Sequence, residues 1–120
     1  MLSKKIIIVD DDESIRKTFF LLLTSKYNVY LARDAQEALS RFQKAPVDLI
    51  IADFRLPHKN GLQMIQEFRQ AGYQGKIILI SAFPERLKSD ELQLLGIDRL
   101  FVKPLDLKVF TETIDELLQS

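Results

Sequence analysis

Four apolar runs in this chain break off at a polar residue, and those polar residues form a coherent chemical set. Ile6-Ile7-Ile8-Val9 breaks at Asp10-Asp11 and Leu49-Ile50-Ile51-Ala52 at Asp53. Ile77-Ile78-Leu79-Ile80 breaks at Ser81, and Leu100-Phe101-Val102 at Lys103-Pro104. A further run, Val29-Tyr30-Leu31-Ala32, ends without an obvious chemical group. If these runs are parallel strands of one sheet, three carboxylates, a hydroxyl and an ammonium share one edge of it. Like charges ~4 Å apart repel by ~4 kcal/mol at an effective dielectric near ~20. Such a cluster therefore needs a cation or raised pKa values. Oxygen ligands without His or Cys select a hard cation. Mg²⁺, which takes a few carboxylates, waters and phosphate oxygens, suits the set better than Ca²⁺, for which the chain has no EF-hand spacing.

Between such a cation and Lys103, Asp53 is the natural nucleophile. An aspartate accepts a phosphoryl group as an acyl phosphate, and the cation and Lys103 would offset charge on the equatorial oxygens. Ser81 adds a hydroxyl that can bond a phosphoryl oxygen. A plain nucleotide or flavin site would place glycines and hydroxyls at the first strand-to-helix turn. That turn reads Asp10-Asp11-Asp12-Glu13 and would repel phosphate unless a metal intervened. Each residue alone has a plainer explanation. Asp10 to Glu13 could be a helix N-cap with acids favoured by the macrodipole, and Asp53, Ser81 and Lys103 could be ordinary loop residues. Their joint placement argues otherwise. The sole histidine, His58, lies in a Pro57-His58-Lys59-Asn60-Gly61 loop, where a solvent-exposed position is expected and no role is assigned.

Positioning these groups falls to alternating strands and helices. The first helix is expected over about 12–25, with Ile15, Phe19, Leu22 and Leu23 on one face. Phe20 and Leu21 lie off that stripe, as exposed apolar groups near the acidic site. Asp34 with Glu37 reads as a capping box for a second helix carrying Ala38, Leu39 and Phe42, stopped by Pro46. Asn60-Gly61 leads into a third with Leu62, Ile65 and Phe68, closed near Gly72. A fourth falls between Pro84 and Gly96 with Leu92 and Leu95 as anchors. Asp106 caps a fifth, with Val109, Phe110, Ile114, Leu117 and Leu118 inward. Alternation of this kind predicts an α/β, flavodoxin-like (βα)5 doubly wound three-layer sandwich, with a parallel five-stranded sheet in the order 2-1-3-4-5. Ligands bind such sheets at the carboxyl ends of strands one and three, where Asp10-Asp11 and Asp53 stand.

The 120 residues suit one domain and one core, and a content of 47% hydrophobic and 28% charged residues is that of a globular chain. Seventeen basic residues balance seventeen acidic ones, which argues against direct nucleic-acid binding. The absence of cysteine excludes disulfides and thiolate metal sites. No segment approaches a membrane span or a signal-peptide core, so a cytoplasmic protein without membrane insertion is expected.

Taken together, the motifs resemble the receiver domain of bacterial two-component response regulators, from Lys5 to Leu118. They are Ile7-Ile8-Val9-Asp10-Asp11, Asp48-Leu49-Ile50-Ile51-Ala52-Asp53, Leu56-Pro57 followed by Asn60-Gly61, Ser81-Ala82 and Lys103-Pro104. The resemblance implies that Asp53 is the phosphoacceptor. It implies that Asp11 ligates Mg²⁺ directly, that Asp10 acts through metal-bound water, and that the backbone carbonyl of Arg55 is a further ligand. Ser81 matches the hydroxyl that moves toward the phosphoryl group, and Lys103 the lysine that pairs with it, followed by a cis peptide bond at Pro104. The implied partners are a sensor histidine kinase or a histidine phosphotransfer protein and a downstream target. The expected response is at the face formed by the fourth helix, fifth strand and fifth helix. The expected protein is a signalling domain rather than an enzyme, a single stand-alone receiver over 1–120 with no output domain.

Two positions depart from the family's pattern. Leu100 stands where a switch aromatic is usual, with Phe101 beside it. The loop reads His58-Lys59-Asn60-Gly61 where Gly-Met-Asp-Gly is common. Two other readings accompany the main one. A Mg²⁺-dependent hydrolase with an aspartyl nucleophile usually carries an acid two residues on, where this chain has Arg55. An interaction module that had lost phosphorylation would be expected to lack part of the set.

Overall fold

Residues 4–119 are described by a computed structural model. Five strands, β1 (Lys5–Val9), β2 (Asn28–Ala32), β3 (Leu49–Asp53), β4 (Lys76–Ser81) and β5 (Arg99–Val102), form one parallel sheet in the order β2-β1-β3-β4-β5. Helices α1 (Glu13–Leu23), α2 (Ala35–Lys44), α3 (Gly61–Gln70), α4 (Ser89–Leu94) and α5 (Leu107–Leu118) connect and follow them. This is the sandwich and strand order expected from the sequence. No helix among the described residues is long and apolar enough to cross a membrane.

The two-residue period of a strand divides the apolar runs between two cores. Ile7, Val9, Ile50, Ala52, Ile77 and Leu79 face α2 and α3, packing on Ala38, Met64, Ile65 and Phe68. Ile6, Ile8, Leu49, Ile51, Ile78 and Ile80 face α1 and α5, packing on Phe19, Leu23, Phe110 and Ile114. The central strands are buried on both faces, which explains their unbroken apolar runs. The edge strands β2 and β5 are only half-covered.

Local signals explain most helix boundaries. The Asp12, Asp34, Asn60 and Asp106 side chains each accept from a backbone N–H in the first turn of α1, α2, α3 and α5. The reciprocal box is complete at Asn60 and Gln63. At Asp34 only half of the expected box forms. The Glu37 carboxylate passes over Asp34 and accepts from the Arg33 N–H at 3.0 Å, with the Arg33 guanidinium drawing it the same way. α4 is a single short helix preceded by a 3-10 turn at Pro84–Arg86, with Leu92 and Leu95 half-buried as anchors.

The helix faces also differ from expectation at their margins. Leu22 is exposed at the edge of the α1 stripe, which Ile15, Phe19 and Leu23 make alone. Phe20 is half-buried, so only Leu21, 76% exposed, is an open apolar group on that side. In α5 Val109 turns outward at 46% exposure, and Thr113 is buried in its stead, its hydroxyl donating to the Val109 carbonyl at 2.8 Å. A polar side chain satisfied within its own helix is cheap to bury. Phe110 stacks on Phe19 and edge-on against Phe101. Phe110→Ala should therefore cost about 3–5 kcal/mol of stability. Val109→Ala should stay within about 0.5 kcal/mol. Urea midpoints of the two variants check the assignment of faces.

Candidate active site

The strand register brings the polar residues together. Val9 lies opposite Ala52, so Asp10 emerges beside Asp53. Ser81 lies opposite Val102, so Lys103 emerges beside Ser81, and the Lys103 N–H donates to the Ser81 carbonyl at 3.0 Å. Lys103 Nζ meets Asp53 Oδ2 at 2.8 Å, an ion pair spanning 50 residues of sequence. The Lys103-Pro104 peptide is cis, as the resemblance implied.

Each group has a defined surrounding. Asp10 is 2% exposed: its N–H donates to the Ala32 carbonyl, its carbonyl accepts from Arg16 Nη1 at 2.6 Å, and its Oδ1 accepts from the Asp12 N–H at 2.9 Å. Asp53 is buried and its Oδ1 accepts from the Arg55 N–H at 3.2 Å. Asp11 and the Arg55 side chain lie outside, exposed to water. Ser81 is 1% exposed and its Oγ accepts from the Phe83 N–H at 2.9 Å. His58 is exposed, with φ +71, and lies on the loop away from these groups' hydrogen bonds. The loop after β3 closes tightly over the floor of the site. The Gly61 N–H donates to the Phe54 carbonyl at 2.7 Å, and a Cβ at Gly61 would lie 2.6 Å from the Asp53 carbonyl oxygen.

The electrostatics follow from this packing. Burial, together with the neighbouring Asp53 carboxylate, raises the Asp10 pKa from 3.8 to about 6 against the lowering effects of the Asp12 N–H and Lys103. Burial alone would lower the Lys103 pKa. Its hydrogen bond to Asp53 and the charges of Asp53, Asp10 and Asp11 outweigh that and hold the ammonium charged. The buried acids thus carry more negative charge than one lysine offsets. No closed cage of three or more His, Cys, Asp or Glu side chains forms among the described residues. Two buried carboxylates with an exposed third suit instead a small hard cation that keeps waters and takes phosphate oxygens.

A family model of the response regulator receiver domain matches residues 6–115. The chain belongs to that family. Response regulator RR06 of Streptococcus pneumoniae is 30% identical over 95% of this chain. PhoP of Bacillus subtilis, an alkaline phosphatase synthesis transcriptional regulatory protein, is 30% identical over 98%. This chain spans about half the length of those relatives, 52% and 50%. Among solved structures it resembles Vibrio cholerae chemotaxis protein CheY4, with TM-score 0.83 and 30% identity over 96% of this chain and 98% of that one. It also resembles Thermotoga maritima TrrA, crystallised with Mg²⁺-BeF, with TM-score 0.84 and 29% identity over 97% and 100% of the two chains. The protein is therefore a two-component receiver domain, with a signalling role.

The sequence anticipated that Asp10, Asp53, Ser81 and Lys103 converge, and they do. It missed Arg16, which holds the Asp10 carbonyl from one turn along α1, and the Phe83 N–H, which occupies Ser81. Only the sharp approach at Gly61 had a sequence signal, the Asn60-Gly61 pair. One consequence of the receiver's acid pair is a pH dependence. Between pH 3.8 and about 6 the folded state keeps a proton on Asp10 that the unfolded state releases. The stabilisation from this group is complete below the unfolded value and lost as pH rises through about 6. Asp10→Asn should remove this loss, on the order of 2–3 kcal/mol by pH 7.5. Thermal melts in chelator from pH 4.5 to 7.5 should show the parent declining relative to the variant by about 2 kcal/mol, the rest of the loss falling below pH 4.5.

Proposed function

We propose that this receiver takes a phosphoryl group from a phosphohistidine donor onto Asp53. A carboxylate oxygen of Asp53 attacks phosphorus, the donor's P–N bond breaks, and the imidazole leaves with the electron pair. The product is an acyl phosphate. The observation that carries this reading is the Lys103 ammonium held 2.8 Å from the buried Asp53 carboxylate, at a strand end facing a second buried acid. Lys103 pairs with the carboxylate at rest and with phosphoryl oxygen afterwards. Asp10, Asp11, Asp53 and the carbonyl of Arg55 would hold Mg²⁺, which when bound neutralises charge on the phosphoryl oxygens.

The Ser81 hydroxyl, turning to a phosphoryl oxygen, gives up its bond from the Phe83 N–H. That frees the segment leading through the 3-10 turn to α4. Leu100 is half-buried on the α3 side of the sheet, whereas Phe101 stacks on Phe110 on the opposite side. Phe101 therefore cannot stand in for an aromatic at position 100, and the Ser81 movement carries the response toward α4, β5 and α5.

In this reading the donor protein, a histidine kinase or phosphotransfer protein of the cytoplasm, docks on α1. A groove of about 460 Å³ between α1 and the start of α5, lined by Ile15, Phe19, Pro104 and Leu105, opens onto Asp10 and Lys103. Leu21 adds an exposed apolar contact on the same helix.

Incubation with a small phosphodonor and Mg²⁺ should place one phosphoryl group on the protein, seen by intact-mass spectrometry and lost in Asp53→Asn. Turnover of an external phosphate ester would point to a hydrolase, and absence of label to a silent module. Chelation of Mg²⁺ should abolish labelling. Ser81→Ala should label as the parent does yet lose most of the amide shift changes at α4. Equal changes in the two proteins would refute the part given to Ser81. Leu21→Ala should slow transfer from a phosphohistidine protein about tenfold while leaving labelling by the small donor unchanged, as measured by stopped-flow or gel phosphotransfer.

A further inference from the structure

Arg69 makes four hydrogen bonds that the phosphoryl chemistry does not use. From the last turn of α3 its Nε donates to the Leu95 carbonyl at 2.8 Å and its Nη2 to the Gly96 carbonyl at 3.1 Å. Its Nη1 donates to the Tyr73 and Gly75 carbonyls at 3.0 and 3.1 Å. The guanidinium carbon also sits 5.4 Å from the centre of the Tyr73 ring, whose hydroxyl donates to the Lys76 carbonyl. One side chain thus ties the C-terminal end of α4 to the turn that enters β4. Gly96 makes room for it: φ is +70, and a Cβ there would lie 3.0 Å from Nη2.

The two ends of α4 are unlike. At the C-terminal end the Gly96 N–H bonds the Gln93 carbonyl and the Ile97 N–H bonds the Leu92 carbonyl, both at 3.0 Å. With Arg69 on Leu95 and Gly96, the Leu92, Gln93, Leu95 and Gly96 carbonyls at this end are all met. At the N-terminal end Lys88 supplies no side-chain cap, and none of the six helical residues is buried. Residues 82, 83, 85 and 86 before it are exposed. That loose end is the one joined to Ser81, through the Phe83 N–H.

We propose that Arg69 is the fixed pivot of the response. Movement begun at Ser81 runs through residues 82–92 and stops at the guanidinium, so α4 rearranges from its free end about an anchored one. Arg69 touches no reacting group and acts as a positioning residue. The inference rests on the reading of Ser81 and Asp53 given above.

The test uses amide hydrogen exchange on the unmodified protein and amide shift changes on adding Mg²⁺ and beryllofluoride as a phosphoryl mimic. In the parent, shift changes should be large over 82–92 and small at Gly96 and Ile97. Arg69→Gln should speed exchange at Gly96 and Ile97 at least tenfold, leave β4 amides unchanged, and let the mimic's shifts spread through Ile97. Arg69→Lys, which keeps the charge but cannot reach both carbonyl pairs, should behave as Arg69→Gln. Gly96→Ala, which displaces the guanidinium from the other side, should do the same. Comparable parent shifts at Gly96, Ile97 and residues 82–92 would overturn the proposal even if the variants fail to fold. An unaltered exchange pattern in Arg69→Gln would overturn it too. If the mimic leaves Phe54 and Lys103 unmoved, the phosphoryl reading fails, and the exchange at Gly96 and Ile97 still decides whether Arg69 clamps this end.

Discussion

Asp10 and Asp53 are both buried side by side, burial and the Asp53 carboxylate raise the proton affinity of Asp10, and among the described residues the Lys103 ammonium bonds to Asp53. A buried charge is tolerable when it is paired and hydrogen-bonded. Here the pairing is incomplete by one positive charge. The fold holds the arrangement because the acids are not free to part: each follows a central strand whose register is locked by apolar side chains on both faces. Backbone N–H groups of Asp12 and Arg55 and the Arg16 guanidinium fix the remaining freedom. On the reading proposed above the resting site is preorganised for a cation and for the charge of a phosphoryl group, and the sheet supplies the rigidity that makes the imbalance persist.

The same strand ends separate what must stay from what must move. The acids and the lysine sit on backbone fastened by sheet hydrogen bonds. Ser81 closes β4, and immediately beyond it the chain loses burial, capping and length of helix all at once. Elements of low local stability are where a small differential contact is able to shift a population. Among the described residues, the Phe83 N–H on Ser81 Oγ is the hydrogen bond that joins that loose segment to the site.

How far the sequence could be read depended on the range of the signal. The strands were legible because burial on both faces requires unbroken apolar runs. The site was legible because four of those runs end in charged or hydroxyl groups. Helix faces failed only at their margins, at Leu22 and Val109, where a step of 100° per residue leaves a side chain on the boundary and tertiary packing decides. Thr113 was invisible as a core residue because its burial depends on a bond to its own helix. The Glu37 carboxylate chose Arg33 because that residue offers it a backbone N–H and a guanidinium together, where Asp34 offers an N–H alone. Arg16 and Arg69 left no pattern at all. Long guanidinium side chains that seek backbone carbonyls need a direction and a distance, not a spacing, and only coordinates supply those.

The alternation of β1, β3 and β4 splits the interior into two apolar compartments whose only common members are the strands themselves. α1 and α5 belong to one, α2, α3 and α4 to the other. The groove proposed for the donor lies on the α1 and α5 compartment and α4 on the other, while α5 borders both the groove and the proposed response face. The acid pocket lies on the seam between the compartments, at the strand ends common to both.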